Sequence, residues 1–148
     1  MPRTTPAFFL RQVEIGDAAE IARLGTELGY PADAGQMLPR LQAALGDESR
    51  HVFVAATGDG LLGWIGIERR CTLETGDKAE IVGLVVDARA RRLGVGQALV
   101  EAAEAWARRQ GFDVLMVRSN AARIESHPFY LKHGYLLRKT QQVYFKPL

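Results

Sequence analysis

The stretch "EIVGLVVDARARRLGVGQALVEAAEAWARRQG", residues 80–111, decides how the rest of the chain is read. An apolar run stops at Asp87, an arginine-rich link follows, Gly94 and Gly96 bracket one valine, and a helical spacing begins. The run "AEIVGLVV" (79–86) is apolar at odd and even positions alike, which predicts a central strand covered on both faces. Leu99, Ala102, Ala103 and Trp106 then recur along one side of a helix expected from about Gly96 to Gln110, with Gly111 closing it. A helix N-terminus leaves several backbone N–H groups unpaired and carries partial positive charge. Glycines let an anion approach that end, and nearby arginines add charge, so the joint reads as an anion site, most naturally for phosphate. A plain tight turn between strand and helix is the competing reading, because a bare G-x-G is weak evidence.

Outward from this joint, "FFLRQV" (8–13) alternates as a first strand. Asp17 is placed to cap a helix carrying Ala18, Ile21, Ala22, Leu24 and Leu28, stopped by Gly29. A second helix is expected from Asp33 to Leu45, with Met37, Leu38, Leu41 and Leu45 as its apolar stripe and Gly46 as its end. "HVFVAAT" (51–57) and "LLGWIGIERR" (61–70) are β-rich and joined by "GDG", a hairpin signal. "CTLETGDK" is polar and reads as a loop. "FDVLMVRS" (112–119) reads as a further strand. A helix starting near Glu125 or Ser126 admits Pro128 in its first turn and stops at Gly134. "YLLRK" and "QVYFKP" supply two final strands. The expected fold is α/β (α+β): one domain, residues 1–148, with a mixed, mostly antiparallel sheet of about seven strands and about four flanking helices.

Composition narrows the classes. At 148 residues, 47% hydrophobic and 24% charged, the chain has enough material for a core without staples. No apolar run is long enough for a membrane span, and "MPRTTPAFFL" lacks the form of a secretion signal, so a cytoplasmic protein is expected. One cysteine, Cys71, excludes an intrachain disulfide and a cysteine-rich metal site. His51 and His133 have no partner at ligand spacing, so no metal is expected. A net charge of +2 is too small to imply nucleic acid, although the arginines at 89, 91, 92, 108 and 109 crowd together in sequence.

The joint departs from two familiar phosphate motifs. No lysine or hydroxyl follows Gly96, as a P-loop requires, and Leu99 stands where a dinucleotide fingerprint needs its third glycine. What remains is "RRLGVG", residues 91–96, after a strand and opening a helix. This arrangement closely resembles the [Q/R]-x-x-G-x-[G/A] signature of the GNAT superfamily of acyl-CoA-dependent N-acyltransferases. The order of elements is similar over nearly the whole chain, and "SN" at 119–120 with "FYLKHGY" at 129–135 resembles the later signature of that family. Many members carry glycine where this chain has Arg92.

The resemblance implies a set of roles. Amides from about Arg92 through Gln97, that is Arg92, Leu93, Gly94, Val95, Gly96 and Gln97, would hold the pyrophosphate of acetyl-CoA beside Arg91. The pantetheine arm would pair with the backbone of Leu84 and Val86, and the thioester oxygen would be polarised near Val85 and Val86. A bulge would splay the 79–86 strand from the 112–119 strand, and Gly83 permits one. Tyr130 would be the general acid to sulfur, suited by a phenol pKa of about 10, unless it is simply a packed aromatic. Glu80 would be the base, directly or through water, as the one acid in an apolar strand; facing solvent near the strand's start and forming a structural ion pair are its other readings. Asn120 would contact the arm or a water near the thioester, or else serve a turn. His127 reads as a capping residue or as one that reaches the cofactor.

The expected function is transfer of an acetyl group from acetyl-CoA to a primary amine of a small molecule, or of a protein, by direct attack. A non-catalytic acyl-CoA sensor is the alternative, and a nucleic-acid binder is disfavoured for want of interleaved aromatics. Tyr30, Met37, Trp64 and Tyr144 could line the acceptor cleft, and Glu68, Glu74 and Glu80 could favour a cationic amine. "LLRKTQQVYF" is the expected contact of a homodimer, and no membrane partner is expected.

Overall fold

The computed structural model describes residues 7–119 and 126–148. The chain divides into two compact units, Met1–Val117 and Arg118–Leu148. The first holds β1 (Phe9–Gln12), α1 (Ala18–Glu27), α2 (Ala34–Leu45), β2 (Arg50–Thr57), β3 (Gly60–Thr72), β4 (Gly76–Val86), α3 (Val95–Arg109) and β5 (Leu115–Val117). The second holds α4 (Ser126–Lys132).

Among the described residues the sheet has five strands in the order β1-β2-β3-β4-β5, not about seven. The first four run antiparallel and β5 joins β4 in parallel, so the mixed, mostly antiparallel character stands. The two expected final strands make no ladder. Leu136, Leu137, Val143, Tyr144 and Phe145 are exposed instead. An alternating pattern forms a strand only where a neighbour supplies the hydrogen-bonding edge, and residues 135–148 have none among the described residues. The expected 112–119 strand shrinks to three residues for a related reason. At its start the Phe112 N–H is spent closing α3, on the Ala107 carbonyl.

Alternation along the strands builds two faces. Val54, Trp64 and Val85 meet Ile21 and Leu24 of α1 and Leu41 of α2. On the other face Ile65 and Ile67 are fully buried, and Leu99 and Val95 of α3 stand beside Gly63. Each fully buried leucine of this kind contributes about 1.5–3 kcal/mol, so α3 is anchored by its flank and needs little from its ends.

Three local readings change. Asp17 precedes α1 but its carboxylate turns back, accepting from Arg11 at 2.8 and 2.9 Å and from the Glu14 N–H at 2.8 Å. In α2, capped by Asp33 through the Gln36 N–H, the buried stripe is Leu41 and Ala44 with Met37 packed beside them. Leu38 and Leu45 are exposed. The polar "CTLETGDK" is a hairpin rather than a loop, with Cys71 facing Asp77 and Thr72 facing Gly76. Its polarity reflects an arm wet on both sides, held by the Arg69–Asp77 ion pair.

Candidate functional site

The site is built around the exit of β4. Asp87 ends the strand and caps a short 3₁₀ turn, Ala88–Ala90, by accepting the Arg89 N–H at 2.9 Å. Ala90 is buried and pins the turn, while Arg91 and Arg92 are exposed. Arg92 takes a left-handed backbone with φ +69°, the only positive value among the described non-glycine residues, and Gly94 follows at φ +81°. Gly94 is the N-cap of α3, no side chain caps the helix, and no acidic residue stands in its first turn. Nothing lies within 4 Å of the position a Cβ would take on Gly94. The amides of Val95, Gly96 and Gln97 therefore stand at a helix end that no side chain caps, which suits a diphosphate. Leu93 is half-buried and Gln97 is exposed, donating to Glu101 at 3.1 Å.

The five arginines do not form one patch. Arg108 and Arg109 sit in the last turn of α3, about 20 Å from Gly94 at 1.5 Å per residue. Arg89 lies on the Asp87 carboxylate, at 3.2 and 2.9 Å. Arg89, Arg91 and Arg92 are all exposed at the turn itself.

Among the described residues, the neighbouring edge of β4 has no strand partner beyond Ile81. β5 pairs with β4 only at Ala79–Leu115, Glu80–Met116 and Ile81–Val117. Between β3 and β4 the register slips at Val82, a bulge immediately before Gly83. From Val82 to Val86, β4 has β3 on one side and no strand of the described residues on the other. Val85 is buried in the core. Leu84 and Val86 are half-buried along the open edge. This free edge matches what an extended pantetheine arm requires of a partner.

Glu80 is 4% exposed and faces Glu68 across the β3–β4 ladder. Arg70 donates to Glu80 at 3.0 Å and also pairs with Glu68 at 3.0 Å. The ion-pair reading of Glu80 is thus realised, and the guanidinium fixes one carboxylate oxygen. Tyr130 lies half-buried in α4, edge-on to Phe129 and Tyr135 at 5.3 and 5.7 Å. His127 is half-buried, and its Nε2 is shielded with no hydrogen-bond partner among the described residues. Asn120 lies outside the described residues. Of the expected cleft residues, Met37 and Trp64 pack on the core, whereas Tyr30 and Tyr144 are exposed. Cys71 is exposed at the end of β3. Among the described residues no group of three or more potential ligands is arranged for a metal, and no helix is long and apolar enough to cross a membrane.

Two features escaped the sequence. The left-handed Arg92 carries no compositional signal, since arginine is an unusual choice there. Asp87 reads as a strand terminator, yet Arg23 of α1 reaches it at 3.2 Å from far away in the chain.

Comparison with known proteins shows the family. The profile of the acetyltransferase (GNAT) family matches residues 18–135. An aminoglycoside N(6′)-acetyltransferase type 1 of Stenotrophomonas maltophilia is 31% identical over 143 residues, covering 93% of this chain and 91% of its own. An uncharacterized N-acetyltransferase of Bacillus subtilis (strain 168) is 29% identical over 127 residues, covering 82% of this chain and 89% of its own. Among solved structures, the aminoglycoside 6′-N-acetyltransferase AAC(6')-IG of Acinetobacter haemolyticus superposes with a TM-score of 0.81 at 15% identity, covering 95% of this chain and 99% of that one.

Proposed function

The chain belongs to the acetyltransferase (GNAT) family, and from that premise we propose that it moves an acetyl group from acetyl-CoA to a primary amine of a small cationic molecule. Acetyl-CoA supplies the activated thioester; the protein must bind it, orient it and move two protons. The observation that carries the reading is the uncapped α3 N-terminus behind Arg92 and Gly94, set next to the open Val82–Val86 edge of β4.

In this reading the amides from Arg92 to Gln97 hold the diphosphate, with Arg91 beside them, and the Leu84 and Val86 backbone aligns the arm. Backbone N–H near Val85 and Val86 polarises the carbonyl as charge develops on its oxygen, the kind of fixed donor that acts most strongly away from water. The incoming amine loses its proton to Glu80. Because Glu80 is 4% exposed, that transfer runs through a water rather than by contact. Tyr130 gives its Oη proton to the departing thiolate, and Asn120 steadies the arm. No covalent enzyme intermediate is needed.

A cationic acceptor is supported by Glu68 and Glu80, two carboxylates sharing one arginine on the same face. The similarity to aminoglycoside N(6′)-acetyltransferase puts amino sugars first among acceptors to test. We read the two units as one catalytic domain at work in the cytoplasm. The exposed Leu136, Leu137, Val143 and Phe145 support a homodimer joined through that segment, which sedimentation would read.

The test combines calorimetry with acetyl-CoA and a free-thiol assay over a panel of amines. Saturable binding, thiol release with an amino sugar, and a loss of turnover of about 100-fold or more in Tyr130→Phe are expected. Binding without turnover on any amine would instead favour the acyl-CoA sensor.

A further inference from the structure

We propose that Arg23 and Asp87 are positioning residues for the diphosphate turn: together they set where the chain leaves the sheet, and so where the amides of residues 92–97 point. The proposal rests on the reading that this turn holds the diphosphate of the co-substrate.

Asp87 is 2% exposed, and a buried carboxylate is tolerated only when its oxygens are satisfied. Oδ1 accepts from the Arg89 N–H at 2.9 Å and from Arg89 Nε at 3.2 Å. Oδ2 accepts from Arg89 Nη2 at 2.9 Å and from Arg23 Nη1 at 3.2 Å. Its backbone is held as well: the Asp87 N–H donates to the Leu62 carbonyl at 2.8 Å, and its own carbonyl accepts from Ala90 at 2.9 Å. The residue at the root of the turn is therefore fixed by β3 through its main chain and by α1 through its side chain.

Arg23 is itself immobilised. Its Nε donates to Glu20 at 2.6 Å, Nη1 to Glu27 at 3.0 Å, and Nη2 to the Leu61 carbonyl at 3.1 Å. Glu20 closes the loop by accepting the Leu61 N–H at 3.0 Å. One guanidinium thus ties α1 and the start of β3 to the end of β4. Beyond Asp87, buried Ala90 and the Leu93 N–H bond to the Ala90 carbonyl at 3.3 Å hold the chain toward Gly94. A binding loop held at its root meets a ligand without first being ordered, which lowers the cost of binding.

Two effects of Asp87 have opposite signs, which makes the proposal decidable. As a charge, Asp87 repels a diphosphate and occupies Arg89, so electrostatics alone predicts that Asp87→Asn tightens coenzyme A binding. As an anchor, it predicts the reverse.

The experiment is calorimetric titration of coenzyme A into wild type, Asp87→Asn, Arg23→Gln and Arg23→Lys, with circular dichroism confirming the fold, followed by steady-state kinetics. Asp87→Asn and Arg23→Gln are each expected to weaken binding about tenfold, and Arg23→Lys to recover part of that loss. KM for acetyl-CoA should carry the effect, with kcat altered by less than about threefold, a split that general loss of structure would not give. Should Asp87→Asn fail to fold, Arg23→Lys decides alone, since it keeps the charge and loses the fork that reaches Glu20, Asp87 and Leu61 together: weaker binding than wild type supports the anchor and equal binding overturns it. Unchanged or tighter binding in the folded variants overturns the positioning role while leaving the diphosphate turn intact. A wild type that ignores coenzyme A overturns the turn itself, and this proposal with it.

Discussion

The six-membered ring of Trp64 occupies the space that a side chain at position 83 would need: a Cβ on Gly83 would fall 2.7 Å from Trp64 Cζ3 and 2.9 Å from Cη2. The register shift at Val82 thus falls next to the one β4 position whose side-chain space the tryptophan of β3 fills. Gly83→Ala should cost about 1–3 kcal/mol, the usual range for an overpacked site, measured by urea denaturation. In a Trp64→Leu background the added methyl should cost markedly less. Equal penalties in both backgrounds would show that the ring is not what excludes a side chain.

Arg92 holds a left-handed backbone at φ +69°. That conformation costs a side-chain-bearing residue about 1–2 kcal/mol, while glycine adds an entropic cost of roughly 0.5–1 kcal/mol. Arg92→Gly should therefore stabilise the apo protein by up to about 1 kcal/mol, seen as a rise of a few degrees in its melting midpoint. A lower midpoint would mean that the arginine side chain makes contacts that outweigh the strain.

His51 packs against Phe53 and Trp106, with ring centroids 4.5 and 6.1 Å away. It lines a cavity of about 570 Å³ that also contains Asp47, Glu48 and Arg50. Burial holds the imidazole pKa below its ordinary value of 6.5, and the charge of Arg109 lowers it further. The folded state thus binds fewer protons than the unfolded chain, so this contribution to stability is whole above pH 6.5 and is lost as pH falls below it. His51→Gln should flatten the decline in unfolding free energy between pH 7 and pH 5. An identical slope in wild type and variant would rule His51 out as its source.

Glu80 offers a kinetic prediction. Glu80→Gln keeps the shape of the side chain and an acceptor for Arg70, and removes the proton acceptor. The expected result is a fall in kcat of about 100-fold or more, with KM for acetyl-CoA nearly unchanged. A kcat within about threefold of wild type would leave Glu80 as a structural partner of Arg70 only.

The joint between strand and helix was legible because it is local. The apolar run, the aspartate, Gly94 and the helical spacing all lie within one window, and hydrophobic period and turn chemistry act at that range. The face of α2 was harder to read, because Leu38 and Leu45 are as apolar as Leu41 and only packing chooses among them. The β3–β4 arm hid behind its polar composition, since a strand exposed on both sides has no alternation to show. Long-range pairs left no trace at all. Nothing in "ARLGTE" announces that Arg23 will meet Asp87, and nothing in "ERR" assigns Arg70 to Glu80. Both are selected by register and helix position, which exist only once the sheet has formed.

The three-residue pairing of β4 with β5 has a practical consequence. Beyond it, among the described residues, no strand pairs with that side of β4, Val82 is 51% exposed, and unpaired margins of this kind recruit strands from other molecules. Purified without its co-substrate, the protein should thicken or precipitate on standing, and a modest excess of coenzyme A in the buffer should keep it clear.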